Sequence, residues 1–484
     1  MTRFKAVAAL AGSMLVLSAC ASVPPEQVPD HTSPVQSAPS PDQFVAQDIL
    51  QNLSRVPDAG LAGARWWEGF NDPILDQLIQ NSLESNFQIA SAAASVREAK
   101  AVLALSNTGN SLLVELDAQL SGQKTDRSNS GTGSPNAAGG GNRNERNAII
   151  GLGFVLPVDF AGRVDQEVRA AAANLMAVQA GLRAQIISTS TEVAQEYLRL
   201  RGNQKQLGML RDSVDLQEKT LAIVKARFES GLSPELDVRR AETSVETLRA
   251  SIAPLEQALR RSMHQLATQA GQFPGAYDSL LTLVGDLPRY SQGIPARLPL
   301  QVLQARPDVQ LAQARFAQAA AEVGVAQADF YPSIDLMANI QIGSSALNSN
   351  PAMGILIASL SALLNQMVYD GGARDARLDA AKARADVALA DYEQVLRAVT
   401  LDVENALLAI EASTSRQTAL GKAVVSSKRS FEQADALYQL GLVSFLDVVD
   451  AQRVYANAEQ ALATEQTSYA TLIASLFRAL GVQG

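Results

Sequence analysis

From Arg374 to Gly441 the chain has no proline and one internal glycine, Gly421, and it is dense in Ala, Leu, Glu, Gln, Lys and Arg, the strong helix formers. As one unbroken helix this stretch is on the order of 100 Å long, at 1.5 Å rise per residue. No compact soluble domain needs such a rod. Arg163 to Gly231 repeats it, again without proline. Both copies end alike: Tyr438-Gln-Leu-Gly-Leu-Val-Ser-Phe-Leu-Asp-Val448 aligns with Phe228-Glu-Ser-Gly-Leu-Ser-Pro-Glu-Leu-Asp-Val238, at the spacing of 210 that separates Gly231 from Gly441. Repetition over this distance implies a duplicated architecture.

Ahead of each rod the period changes from helical to two. Val114, Leu116, Ala118 and Leu120 are apolar, and their alternates Glu115, Asp117, Gln119 and Ser121 are polar. A loop of Gly, Ser, Asn and Arg follows, and a second strand returns with Ile150, Leu152, Phe154 and Leu156 on one face. In the second half Ile334, Leu336, Ala338, Ile340 and Ile342 alternate with Asp335, Met337, Asn339 and Gln341, and a less regular strand comes after it. Strands with one apolar and one polar face suit a barrel with lipid outside and water inside. Four strands cannot close such a pore alone, and open edges are not tolerated in lipid, so self-association is expected. Three copies would give about twelve strands, within the range of known barrels.

The expected organisation is a signal peptide over 1–19, a tether over 20–58, a first repeat over 59–270, a connector over 271–299 and a second repeat over 300–481. Strands are expected near 112–122, 146–158, 333–343 and 354–368, and each repeat closes with a long helical hairpin. Arg306 to Ala328 parallels Asn86 to Thr108 at a spacing of 220, the distance from Asn86 to Arg306. The drop from 220 to 210 matches the shorter second loop. Asp72-Pro73 reads as a helix N-cap with proline at the first helical position.

At the start, Arg3 and Lys5 precede a short apolar run that ends in Leu17-Ser-Ala-Cys20, the form of a secretory signal rather than a membrane span. Cys20 is the only cysteine, and Leu-Ser-Ala-Cys resembles the bacterial lipoprotein box, in which the thiol is diacylated. Ala21 follows it, where an Asp would suggest retention in the inner membrane. A net charge of −9 matches nucleic acid poorly. Two histidines and one cysteine leave little for metal sites or His-dependent catalysis, and no phosphate-binding or nucleophile-elbow motif is present. An enzyme is not expected, nor any cofactor beyond covalent lipid on Cys20.

These features together carry a specific resemblance. Leu17-Ser-Ala-Cys20, Trp66-Trp67-x-x-Phe70-x-Asp72-Pro73, Leu298-Pro299 with Arg306-Pro-Asp308, Tyr369-Asp-Gly-Gly-Ala-Arg374 and the two Gly-Leu-x-x-x-Leu-Asp-Val turns are similar to the TolC-like outer membrane factors, closest to the lipoprotein branch that serves RND-type efflux pumps. The resemblance implies a mixed α/β membrane protein: a homotrimer with a shared twelve-stranded β-barrel, a long periplasmic α-helical barrel and an equatorial belt. It implies an exit duct in the bacterial outer membrane, lipid-anchored and reaching into the periplasm, with a periplasmic adaptor and an inner-membrane RND-type transporter as partners. It further implies acidic rings of Asp447 and Asp450 at the periplasmic aperture, and Tyr438 and Asp237 as residues holding that aperture closed. Departures from the family are Leu112 in place of proline (its repeat partner Pro332 keeps it), Val443 in place of a basic residue, and Arg240 where the second turn has Asp450.

Ser444-x-x-Asp447 also matches a capping box, so helix capping alone could account for Asp447. His264 reads as a surface residue and Trp66-Trp67 as packing in the belt. Two other functions share part of this pattern: the outer duct of a type I protein secretion system, and a coiled-coil spacer lipoprotein without a channel. The lipoprotein box favours efflux over secretion, and period-two strands with a charged face argue against a spacer.

Overall fold

The computed structural model describes residues 55–56, 65–125, 143–292, 294–295, 299–347 and 353–482. The expected signal peptide, Cys20, most of the tether and Leu298 lie outside these residues. In chain order the elements are β1 (Arg55–Val56), a 3-10 turn (Trp66–Phe70), α1 (Pro73–Ser85), α2 (Phe87–Ser106), β2 (Leu113–Thr125), β3 (Arg143–Val158), α3 (Arg163–Glu229), α4 (Glu235–Ala250) and α5 (Ile252–Gln269). The second part holds α6 (Asp278–Leu281), β4 (Ile294–Pro295), α7 (Pro299–Ala305), α8 (Pro307–Ala328), β5 (Ser333–Leu347), β6 (Met353–Asn365), α9 (Ala373–Gln439) and α10 (Phe445–Ala479).

The two rods, α3 and α9, have 67 residues each. Both start after a glycine in the left-handed region, Gly162 (φ 73°) and Gly372 (φ 87°), where a side chain would be strained. An aspartate just upstream accepts the first orphan backbone N–H groups in each case. Asp159 takes those of Arg163 (2.9 Å) and Val164 (2.8 Å), and Asp370 takes that of Arg374 (3.0 Å). Both rods end the same way. Leu232 and Leu442 donate back to the carbonyls of Arg227 (2.8 Å) and Leu437 (2.9 Å), across the left-handed Gly231 and Gly441.

One difference separates the halves. The return helix α10 is continuous over 35 residues, whereas its counterpart is split into α4 and α5 at Ser251. Pro254 lies just past the break; it has no N–H to donate and its ring crowds the preceding turn. Its repeat position is Thr464, which keeps the helix intact.

The strands form one antiparallel sheet in the order β2-β3-β5-β6. β6 stops at Asn365, opposite Ser333, rather than near 368, because β5 offers no partner beyond Ser333. β3 and β5 join the two repeats within one sheet, and β2 and β6 are left as edges.

An aromatic cluster ties the connector to the rods. Trp66 stacks on Phe477 at 5.2 Å and Tyr290 packs on both Phe477 and Phe70 at 5.3 Å, and both tryptophans are buried, in packing as expected. Asp72 caps α1 through the N–H groups of Ile74 (2.9 Å) and Leu75 (3.3 Å), and its other oxygen accepts from the Tyr197 hydroxyl at 2.6 Å. Buried Arg201 donates to Tyr197 (2.8 Å), to Gln204 Oε1 (2.8 Å) and to the Leu283 carbonyl (2.7 Å), so its buried donors find acceptors. Burial and the Asp72 carboxylate push the Tyr197 hydroxyl well above the usual tyrosine range. β1 pairs in parallel with β4, so the end of the expected tether is fixed to the connector.

Candidate functional site

Residues that face one another across a ladder share a face of the sheet, so the register assigns every strand side chain to one side. One face carries, row by row, Val158-Ile334-Leu364, Leu156-Leu336-Ala362, Val114-Phe154-Ala338-Leu360, Leu116-Leu152-Ile340-Ala358, Ala118-Ile150-Ile342-Leu356 and Leu120-Ala148-Ser344-Gly354. Over these six rows Ser344 is the one polar side chain, and the face turns polar beyond them at Arg146, Lys124 and Asn144, yet Leu120 is 88% exposed, Leu360 84% and Leu116 68%. Rows two residues apart climb about 6.7 Å along a strand, so five steps tilted by about 40° cover about 25 Å, the height of the apolar band on an outer-membrane barrel.

The other face is mixed: it carries the carboxylates and amides Glu115, Asp117, Gln119, Asp335, Asn339 and Gln341, with Gly151 and Gly153 among them, and also Leu113, Ile149, Val155, Met337, Ile357 and Leu363. In β3 it is the less exposed side. Gly151 is needed there: a Cβ would lie 2.8 Å from the Asp117 carboxylate and 2.9 Å from Gln341. This is the reverse of a water-soluble sheet, where the apolar face is covered and the polar one is wet. The alternation read from the sequence places Leu116 and Leu336 on the exposed apolar face and Asp117 and Asp335 opposite, as the ladder does.

The expected aperture residues gather at the tips of the two hairpins. Val224 from α3, Val238 and Ala241 from α4, Tyr438 from α9, and Phe445 and Val448 from α10 form one buried cluster. Tyr438 is 5% exposed and packs on Phe445 at 5.8 Å. Its hydroxyl is buried without a hydrogen-bond partner, so no bond joins it to Asp237. Asp237 sits half-buried in the first turn of α4, whose N-cap is Pro234 and has no capping side chain.

Ser444, the repeat counterpart of Pro234, does cap its helix. Its hydroxyl accepts from the Asp447 N–H, and its own N–H (2.9 Å) and hydroxyl (2.6 Å) donate to Asp447 Oδ2. These bonds hold the Asp447 carboxyl below the usual carboxylate range, the side-chain bond contributing most. Asp450 is exposed and pairs with Arg453 at 2.7 Å. Asp447 and Asp450 thus lie on the exposed side of the first turns of α10, opposite the face of Phe445 and Val448 that packs into the cluster.

Arg227 is the residue at this site that sequence reasoning missed. From α3 it donates through Nη1 to the Tyr438 carbonyl at 2.8 Å, and its guanidinium lies over the Tyr438 ring at 4.6 Å from the centroid. It therefore grips the end of one rod from the end of the other. Its repeat counterpart is Leu437, so the duplication gave no signal for it. Ion pairs brace both hairpins: Lys225–Glu242 (3.0 Å) and Arg211–Glu256 (2.8 Å) bridge α3 to its return helices, and Arg416–Glu465 (3.2 Å) bridges α9 to α10, which also share Phe431–Tyr455 stacking (6.2 Å) near the tip. Among the described residues no group of His, Cys, Asp and Glu could hold a metal ion, and no helix is long and apolar enough to cross a membrane.

Comparison with known proteins places this geometry in context. The family model described as outer membrane efflux protein matches residues 78–272 and 298–482. The chain is 27% identical to a toluene efflux pump outer membrane protein, TtgC of Pseudomonas putida, over 99% of this chain and 95% of that one. It is 28% identical to the cation efflux system protein CusC of Escherichia coli, over 96% of each. The solved outer-membrane channel OprN superposes with a TM-score of 0.81 at 27% identity, over 92% of this chain and 97% of that one.

Proposed function

The chain belongs to the outer membrane efflux protein family, and from that premise we propose that three copies of it form the exit duct of a tripartite pump that carries small toxic molecules out of the cell. The observation that carries this is the inverted sheet: an exposed apolar face about as tall as a membrane band, a mixed face behind it that holds Glu115, Asp117 and Asp335, and two unpaired edges. Such edges are stable in lipid only when the strands close on themselves. β2 and β6 run antiparallel within the sheet, so the β6 edge of one copy meets the β2 edge of the next in the antiparallel sense of every other pair.

The helical rods extend the duct into the periplasm, where a periplasmic adaptor and an inner-membrane RND-type transporter engage it and supply the energy. Lipid on Cys20 adds an anchor through its buried methylene groups. At the hairpin tips, Asp447 and Asp450 of three copies gather six carboxylates that favour cations, and Tyr438 with Asp237 takes part in keeping the aperture narrow.

Purified protein reconstituted in a planar bilayer tests the channel. Discrete conductance steps are expected, and membrane insertion without them would leave only a spacer. For the anchor, a palmitate analogue should label wild type and leave Cys20→Ser unlabelled; equal labelling removes Cys20 as the acylation site.

A further inference from the structure

We infer that the outer rim of the lipid-facing side of the sheet binds the phosphate groups of an anionic lipid in the outer leaflet, with Arg146 as the anchor and Lys124 beside it; this rests on the membrane-embedded duct proposed above. The charges of the strands are sorted by sign between the two faces. Glu115, Asp117, Glu145 and Asp335 lie on the mixed face, opposite Gly153, Gly151, Leu347 and Pro157 in the ladders. Lys124 and Arg146 lie on the apolar face, opposite Asn144 and Gly122. Glu145 and Arg146 are adjacent in the chain and so point to opposite sides of the wall.

A cation on the lipid side is costly at the midplane of a bilayer and nearly neutral at its interface, so height decides what these two can do. The rods leave the sheet after β3 and β6, which makes the β2–β3 loop end the outward one. Arg146 stands one row past Leu120 at that end and Lys124 two rows past it, about 5 Å and about 10 Å beyond the apolar band at the same strand tilt. The polar layer outside the hydrocarbon is about 5–8 Å deep on each side, so Arg146 lies in it and Lys124 at its outer margin. At the other end of the duct wall the arginines that open the rods are already neutralised. Arg163 pairs with Glu167 (3.1 Å) and Asp329 (3.6 Å), and Arg374 pairs with Asp370 (2.9 Å) and lies over the Phe330 ring at 5.4 Å. Arg146 is exposed and pairs with no carboxylate among the described residues.

The wall around Arg146 leaves room for a headgroup. Its ladder neighbours are Gly122 on one side and Ala346 on the other, and the row beneath holds Ala148, Ser344 and Gly354. A Cβ added at Gly122 or at Gly354 would meet no atom within 4 Å, so the space beside the guanidinium is open. A planar guanidinium takes a phosphate through two parallel N–H bonds, and a lysine adds a point charge. Lys124 is the diagonal neighbour of Arg146 across the β2–β3 ladder, at about 7–8 Å between backbone positions, a span that long side chains close. One phosphate of a lipid therefore meets Arg146 while a second reaches Lys124. A headgroup with two phosphates fits both positions, and one with a single phosphate fits only one.

The full-length protein, purified in a neutral detergent, tests the rim by titration with lipid A, a glycolipid carrying two phosphates, and separately with phosphatidylglycerol, which carries one. The readout is the midpoint of thermal loss of heat-resistant trimer, each referred to the same protein without lipid. Lipid A should raise the midpoint of the unmodified protein at lower concentration than phosphatidylglycerol does. Arg146→Gln with Lys124→Gln should weaken the response to lipid A about 25-fold, about fivefold for each charge removed. Asp117→Asn, on the opposite face, should respond as the unmodified protein does. If the double variant fails to assemble, Arg146→Gln alone carries the test and should lose about fivefold. An equal response from the unmodified protein and the rim variant, an equal response to both lipids, or none from the unmodified protein overturns the lipid site. Absence of conductance steps from the unmodified protein in a planar bilayer overturns instead the duct on which it rests.

Discussion

Arg227 tests whether the hairpin tips form a latch. Replacing it with Met keeps the length of the side chain and removes its charge and its five donors. Two contacts are lost: the 2.8 Å hydrogen bond to the Tyr438 carbonyl and the stacking of the guanidinium 4.6 Å above the Tyr438 ring. A charge-assisted hydrogen bond contributes roughly 1.5–3 kcal/mol and a partly exposed cation–π contact roughly 0.5–1 kcal/mol. The carbonyl is not orphaned, because the Gly441 N–H also donates to it at 2.9 Å, so no further penalty for a buried unpaired acceptor applies. The sum is roughly 2–4 kcal/mol per copy, equivalent to at least about thirty-fold in the balance between held and released tips. Arg227→Met should raise single-channel conductance from a low resting level while leaving heat-resistant trimer intact. Arg227→Lys, which keeps the charge and loses the planar stacking, should fall between the two. Tyr438→Phe separates a latch within one copy from one between copies. The Tyr438 hydroxyl has no bond to lose inside its own copy, so a conductance change in that variant must come from a neighbour. Wild-type conductance from Arg227→Met in intact trimer would refute the latch.

Four further outcomes follow from the geometry. Leu116→Arg puts a charge on the exposed apolar face and should cost roughly 2–4 kcal/mol near the midplane, depleting trimer in membranes far more than Asp117→Arg; the reverse order would mean inverted faces. Asp447→Asn with Asp450→Asn should weaken cation selectivity and relieve block by a trivalent cation from the periplasmic side. An asparagine oxygen can still accept the bonds from Ser444, so unchanged selectivity would reduce Asp447 to a helix cap. Because the Asp447 carboxyl is held below its ordinary value, its contribution to the tip is present above the usual carboxylate range and is lost as pH falls through the depressed value, so the order of the first turn of α10, followed by a spin label, should survive mild acid and loosen only in stronger acid. Gly202→Ala would put a Cβ against the Thr467 side chain where α3 meets α10, an overpacking worth roughly 1–3 kcal/mol, and Thr467→Ala should rescue its thermal stability; an additive double variant would deny the contact.

What the sequence revealed and what it hid divide along a physical line. Patterns that repeat locally were legible: the alternation of Leu116 and Asp117, the proline-free rods, the Asp72-Pro73 helix start and the Ser444-x-x-Asp447 cap each depend on neighbours within a few residues. The duplication then extended local patterns to long range, since an alignment of one half with the other implies equal folds. Its weakness is the places where the halves differ. Pro254 breaks the first return helix and has Thr464 as its counterpart; the absent N–H was visible in the sequence, and the expectation of equal hairpins obscured it. Arg227 is harder still, because its contact spans both repeats and its equivalent, Leu437, cannot make it. The Asp72–Tyr197–Arg201 network likewise joins parts of the chain that no local rule brings together. Symmetric features build the wall of the duct, which must be nearly uniform around its axis. Asymmetric ones sit at the belt and at the tips: Pro254 loosens one return helix, ion pairs brace it, and Arg227 crosses to the other rod. Two hairpins whose tips are held by different contacts, the Lys225–Glu242 ion pair in one and Phe431–Tyr455 stacking in the other, need not move together, and Arg227 is the contact that couples their ends.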